Sequence, residues 1–258
     1  YISLKKAYLF FVLLFVVVES DAAMSHTITS HFNFKQLSIF NSLLTDEVQK
    51  VYQDKDGFMW FATRYGFFKY DGYKATLYKS NLYSPGLLTN NNIYCLGDDN
   101  EFNLWIGTQE GLNVLNKKTG EIRKYLAPAI PNNAVSCLLV TRDNHLWVGT
   151  DSGLCQYVTE RDSFMIYGPE ASDGVLNYTA IKSLYEDSEG DLWIGTWDSG
   201  LYRYSPTKRK FYAYPPINDR NSAHVIYEDC YKNIWVGSWT RGLFRLLNPK
   251  DMANVSYV

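Results

Sequence analysis

Catalysis would need titratable or nucleophilic side chains at short, repeated spacings, and this chain offers few. Its histidines, His26, His31, His145 and His224, are scattered without the spacing of a metal site. Asp54-Lys55-Asp56-Gly57 and Asp187-Ser188-Glu189-Gly190-Asp191 superficially resemble calcium loops. Both lack the twelve-residue ligand set and its closing Glu, and Asx-type turns account for them. Glycoside hydrolysis needs two carboxylates at a set separation, which turn aspartates do not by themselves supply. The expectation is no catalytic residue, no metal ligand and no cofactor.

Trp197 and Trp239 stand out instead. They begin turns that are one residue longer than the corresponding turns elsewhere in the chain. A large aromatic at a turn tip calls for a reason. One reading is a stacking platform for a sugar ring or another flat, partly apolar ligand; the other is local packing between neighbouring elements. Arg64, Tyr65, Gln109, Glu110, Asp151, Asp198 and Arg241 occupy equivalent or adjacent turn positions, so all of these fringe one face. The candidate ligand-binding set is therefore Trp197, Trp239, Asp198, Arg241, Arg64, Tyr65, Asp151 and Gln109. Its expected partner is an oligosaccharide or other small ligand, and this chemistry rests on loops carried by a rigid scaffold.

The scaffold is a repeat. Trp60, Trp105, Trp147, Trp193 and Trp235 head five copies of one pattern, spaced 42 to 46 residues apart. The cores read Trp60-Phe61-Ala62-Thr63, Trp105-Ile106-Gly107-Thr108, Trp147-Val148-Gly149-Thr150, Trp193-Ile194-Gly195-Thr196 and Trp235-Val236-Gly237-Ser238. A glycine follows at Gly66, Gly111 and Gly153, six residues after the Trp, and at Gly200 and Gly242, seven after. In the fourth copy, residues 181–186, 191–196, 201–204 and 210–214 read as four short strands joined by Gly-, Asn- and Asp-bearing turns. Where copies two and five lack a turn glycine, Asn103 and Asn233 are expected in the left-handed conformation.

Four antiparallel strands every 40 to 50 residues define propeller blades. The expected fold is all-β, a β-propeller with blades at about 48–80, 92–126, 134–168, 178–214 and 223–258. Because each blade is sandwiched between neighbours, the Trp series and Gly107, Gly149, Gly195 and Gly237 are read as architecture, the glycines leaving room for a side chain of the next blade. The five blades are expected to be the N-terminal fragment of a larger ring of about seven, whose exposed apolar flank promotes self-association.

Composition agrees with this. Aromatics are 16% of the chain, with 21 Tyr, and suit pleated half-buried surfaces. A net charge of −2 without a basic run argues against nucleic acid. Lys5 and Lys6, the apolar run at 7–18 and Ser20-Asp21-Ala22-Ala23 read as a signal peptide over 1–23, followed by a lead-in strand and loop over 24–47. The run is short for a bilayer core, which takes about 20 residues. Cleavage near Ala23 or Met24 and export are expected. Cys95, Cys137, Cys155 and Cys230 read as small buried thiols in preference to a disulfide framework, although Cys95 and Cys137 hold equivalent places in adjacent repeats.

The pattern Asp-x-x-Gly-x-Leu-Trp-Ile-Gly-Thr-x-x-Gly-Leu-x-x-Tyr resembles the two-component regulator propeller repeat. So do the lead-in His31-Phe32-Asn33-Phe34-Lys35-Gln36-Leu37-Ser38 and the first-blade wording Gly57-Phe58-Met59-Trp60-Phe61-Ala62-Thr63 with Tyr70-Asp71-Gly72-Tyr73. The resemblance covers about residues 32–258 and implies the periplasmic sensor region of a hybrid two-component system. It further implies a parent chain with more blades, a transmembrane segment and a histidine kinase. The rival expectations are a stand-alone secreted five-bladed lectin-like protein and a propeller hydrolase or lyase.

Overall fold

The computed structural model describes residues 48–81, 83, 86–177, 179–215, 222–239, 241–252 and 256–258. The signal peptide, the lead-in, His26 and His31 lie outside the described residues. Among the described residues there are five four-stranded antiparallel sheets, each a meander in chain order. Blade one is β1 (Val48–Gln53), β2 (Met59–Thr63), β3 (Gly66–Tyr70) and β4 (Ala75–Tyr78). Blade two is β5 (Ile93–Asp98), β6 (Asn103–Thr108), β7 (Gly111–Asn116) and β8 (Ile122–Tyr125). Blade three is β9 (Val135–Val140), β10 (Leu146–Thr150), β11 (Gly153–Val158) and β12 (Ser163–Tyr167). Blade four is β13 (Ile181–Glu186), β14 (Leu192–Thr196), β15 (Leu201–Ser205) and β16 (Lys210–Ala213). Blade five is β17 (Val225–Glu228), β18 (Ile234–Ser238), β19 (Gly242–Leu247) and β20 (Ser256–Tyr257).

Alternation within the second strands sets how blades stack. Trp105 points forward into blade three, while Leu104 and Ile106, on the opposite face, pack back onto Trp60 of blade one. The described residues form four such apolar clusters, one for each junction between consecutive blades. Trp60, Trp105, Trp147 and Trp193 are buried in them, whereas Trp235 on the forward face of blade five is only partly covered. The glycine two residues past the Trp sits under the next blade. A Cβ there would come within 2.7 Å of Val135 at Gly107 and of Ile181 at Gly149, and within 2.4 Å of the Ala223 carbonyl oxygen at Gly195.

The turn between first and second strands carries a device that pattern alone did not reveal. Asp54, Asp99, Asp187 and Asp229, each six residues before a Trp, accept that Trp's indole N–H at 2.8–2.9 Å. Their other oxygen accepts backbone N–H groups of the same turn, so one carboxylate both closes the turn and satisfies the buried indole. Blade three has Thr141 at this place, which bonds His145 instead.

The same carboxylates correct one expectation. The left-handed positions in blades two and five are Phe102 (φ 65°) and Lys232 (φ 65°), not Asn103 and Asn233. Asn103 and Asn233 instead begin or precede the second strand and donate their amides to Asp99 and Asp229 at 2.9 Å. All four cysteines are free, but not all are buried: Cys230 is exposed and Cys137 is half-buried.

Candidate functional site

The first strands are irregular at one place. Their pairing with the second strands slips between Val48 and Lys50, Ile93 and Cys95, Val135 and Cys137, and Ile181 and Ser183. Gln49, Tyr94, Ser136 and Lys182 are therefore the extra residues of four β-bulges, devices that re-aim a side chain out of the ladder. In blade five His224 holds the corresponding place after Ala223, its N–H bonded to the Gly237 carbonyl at 2.8 Å.

The turn after the second strand is fixed just as regularly. Thr63, Thr108, Thr150 and Thr196 donate their hydroxyls to the carbonyls of Gly66, Gly111, Gly153 and Gly200 at 2.8–2.9 Å. In blades two to five the residue after this Thr, or after Ser238 in blade five, is then tied to the start of the first strand. Gln109, Asp151 and Trp197 donate their N–H groups to the carbonyls of Asn92, Ala134 and Ala180 at 2.9–3.1 Å, and Trp239 donates to Ser222 Oγ at 3.3 Å. Each blade thus contributes one turn residue beside one bulge residue: Arg64 with Gln49, Gln109 with Tyr94, Asp151 with Ser136, Trp197 with Lys182, Trp239 with His224.

These pairs interlock. With its amide set to satisfy both neighbours, Gln49 donates to the Ile93 carbonyl at 2.7 Å and accepts from Arg64 Nε at 3.3 Å. Asn92 Nδ2 donates to Gln109 Oε1 at 3.1 Å and to the Tyr94 hydroxyl at 3.3 Å. Lys182 pairs with Asp151 at 2.8 Å and stands 5.7 Å from the Trp197 ring. Gln49, Tyr94, Ala134, Ser136, Asp151 and Lys182 line a cavity of about 400 Å³.

Beside it lies an aromatic corner. Trp197, His224 and Trp239 have ring centroids 5.0–5.9 Å apart. Yet Trp197 remains 46% and Trp239 67% exposed. The two indoles pack on one another and still present open faces, so the two readings of these residues are not exclusive. Asp198 accepts from Thr179 and Ser199 and holds its own turn. Tyr65 and Arg241 are exposed, and neither lines the cavity.

His224 is the group whose protonation the site controls. Burial, and secondarily the Lys182 ammonium, lower its pKa below the ordinary imidazole value, and its buried Nε2 has no hydrogen-bond partner. A lowered histidine pKa contributes stability above the unfolded value, about 6.5, that is lost as pH falls through the folded value. The melting temperature is therefore expected to fall between pH 7 and 5, and His224→Gln should flatten that decline. An unchanged pH profile in the variant would remove His224 from this role.

The opposite ends of the first strands form a second cavity of about 420 Å³, lined among others by Tyr52, Asp98, Arg142 and Glu186. Their polar groups are mutually paired, Tyr52 with Asp98 and Arg142 with Glu186. His145 is exposed at this end of the blades. Among the described residues no three His, Cys, Asp or Glu side chains converge to hold a metal ion.

Sequence reasoning placed Arg64, Gln109, Asp151, Trp197 and Trp239 on this face but missed Gln49, Tyr94, Ser136, Lys182 and His224. A signal existed: four follow the apolar residue that opens the first strand, in Val48-Gln49, Ile93-Tyr94, Val135-Ser136 and Ile181-Lys182, and His224 follows Ala223 just ahead of β17. Bulges cannot be told from regular strands by alternation alone.

The fold defines an all-β protein of propeller blades with a polar and aromatic face at one end. Residues 42–65, 129–152 and 175–198 match the family model described as two component regulator propeller. The chain is similar to the extracellular domain of a hybrid two component system from B. thetaiotaomicron, at 26% identity and a TM-score of 0.73, over 87% of this chain and 31% of that one. A second such domain from that organism aligns at 22% identity and a TM-score of 0.54, over 82% of this chain and 33% of that one. The chain therefore spans about a third of these neighbours. Virginiamycin B lyase from Staphylococcus aureus shares the fold at 14% identity and a TM-score of 0.64, over 83% of this chain and 71% of that one. No curated protein matches the chain.

Proposed function

We propose that this chain is the ligand-sensing propeller of an exported hybrid two-component signalling protein, and that it recognises a glycan-derived ligand on the face described above. The observation that carries the reading is the set of bulged side chains lining one cavity beside the exposed Trp197–Trp239 pair. Gln49, Tyr94, Ser136 and Lys182 supply donors and acceptors, and the indoles supply apolar faces, the mixture that orients a small polar ligand. Among the described residues Asp151 is the only carboxylate lining the cavity, and it is paired with Lys182. Glycoside hydrolysis uses two carboxylates, so the reading is binding and not catalysis. Export through residues 1–23 and a parent chain carrying a kinase belong to the same proposal.

The test is calorimetric binding of an oligosaccharide panel, with Trp197 and Trp239 changed together to Ala. By analogy with base stacking on aromatics, losing the platform should cost about 1–3 kcal/mol, roughly ten- to hundredfold in affinity, with little change in melting temperature. A variant that melts far lower and binds normally once folded would assign both indoles to packing alone.

A further inference from the structure

The first strands do not all end alike, and the differences concentrate where blades two and three meet. Their next-to-last residue is Tyr52, Tyr185 and Tyr227 in blades one, four and five, but Gly97 in blade two and Leu139 in blade three. Their last residue is Gln53, Asp98, Glu186 and Glu228, but Val140 in blade three. Between blades one and two the Tyr52 hydroxyl crosses the joint and donates to Asp98. The next joint lacks both the phenol and the carboxylate. A Cβ on Gly97 would lie 2.6 Å from Leu138 Cδ1 and 3.9 Å from Val140 Cγ2, so Leu138 fills only part of the room that a Tyr side chain takes in blade one. Beside these residues opens the second cavity, about 420 Å³ in volume. That is inside the range of about 300–1,000 Å³ usual for small-molecule pockets.

The cavity is apolar on one wall and charged at its rim. Leu96, Leu138 and Val140 supply the apolar wall. The two rim carboxylates are already met from within the protein. Asp98 accepts from the Tyr52 hydroxyl, from the Lys55 N–H at 3.2 Å and from Lys117 at 3.3 Å. Glu186 accepts from the Arg142 N–H at 2.8 Å and pairs with Arg142 Nε at 3.2 Å. The Lys55 ammonium meets a neutral partner instead, the Asn100 carboxamide oxygen. The rim is therefore left with a positive charge, and Val140 stands where an acid in three other blades would repel an anion.

We propose that this cavity binds a small aromatic carboxylate. Its ring lies against Leu138 and Val140, in the place a Tyr side chain takes in blade one, and its carboxylate meets Lys55. The site is at the opposite ends of the first strands from the aromatic corner and does not depend on that corner recognising a ligand.

Calorimetric titration of the chain with phenylacetate at neutral pH tests this, with phenylacetamide and acetate as probes lacking the charge and the ring. Phenylacetate should bind, and in protein labelled at its Leu and Val methyls it should shift the signals of Leu138 and Val140. Phenylacetamide should bind about tenfold more weakly, as for the loss of one charge-assisted contact, and acetate should shift neither signal. Lys55→Gln changes an exposed side chain and should weaken phenylacetate by about the same factor at an unaltered melting temperature. Val140→Glu restores the acid of the other blades and should abolish the shifts. Silent methyls at Leu138 and Val140, equal binding of phenylacetate and phenylacetamide, or undiminished binding by either variant would overturn the proposal.

Discussion

Trp193→Ala is expected to destabilise the protein by about 3–5 kcal/mol, the range for truncating a large aromatic in a packed core. Trp193 is fully buried between blades four and five, against Ile226, Ile234 and Val236, and its indole N–H is held by Asp187. Truncation removes roughly 150–250 Å² of buried surface and leaves Asp187 without that donor. Trp235→Ala removes the same side chain from the same strand position, but from a face that the described residues cover only in part. Its cost should be about half as large or less, because less apolar area leaves water there. Urea unfolding of the two variants side by side measures the difference. Equal losses would mean that inter-blade burial is not what makes the Trp series important.

Lys117→Ala should be of similar size, for an electrostatic reason. The Lys117 ammonium lies between Asp54 and Asp98 at 3.3 Å from each and Asp56 at 2.7 Å, joining blade one to blade two. The side chains of Lys117, Asp54 and Asp98 are 7%, 0% and 1% exposed. Burial opposes the charge on Lys117, but the bond to Asp56 and the pull of Asp54 and Asp98 outweigh it and raise its pKa. Burial likewise opposes charge on Asp54, yet the Trp60 indole, the Phe58 N–H and Lys117 hold its carboxyl below the ordinary value.

Removing one partner of a buried pair costs about 3–5 kcal/mol, because the remaining charge is stranded. The sign with pH follows. Asp54, with its lowered pKa, stabilises the native state above about pH 4, and that contribution disappears as pH falls below it. The gap in melting temperature between wild type and Lys117→Ala should therefore be at its full size from neutral pH down to about pH 4 and shrink as pH falls below that. A gap that is small or independent of pH would show the cluster to be a solvated surface pair, worth about 1 kcal/mol or less.

The sequence alone determined the repeat, the four-strand unit and the all-β class. A Trp recurring five times, with a Gly two residues on in four copies and Ala62 in the first, reports a strand with two buried faces, and burial constrains residue type. Turn glycines are equally legible, since Gly66, Gly111, Gly153, Gly200 and Gly242 all adopt positive φ. The turn residues of the candidate face could also be placed, because they sit at a fixed offset from the Trp.

Tertiary structure decided the rest. That Asp54, Asp99, Asp187 and Asp229 hold indoles, instead of only shaping turns, depends on a contact across the hairpin that spacing does not encode. Phe102 and Lys232 take the left-handed position in place of the neighbouring asparagines because Asn103 and Asn233 are engaged by those carboxylates. The bulges at Gln49, Tyr94, Ser136 and Lys182 arise from strand pairing, which a single strand's alternation cannot reveal. Chain distance also hid the partnership of Lys117 with Asp54 and of Lys250 with Asp187, residues 63 apart in each case. Each blade carries half of every joint, so a sequence read one repeat at a time shows the halves, and only stacking shows which groups meet.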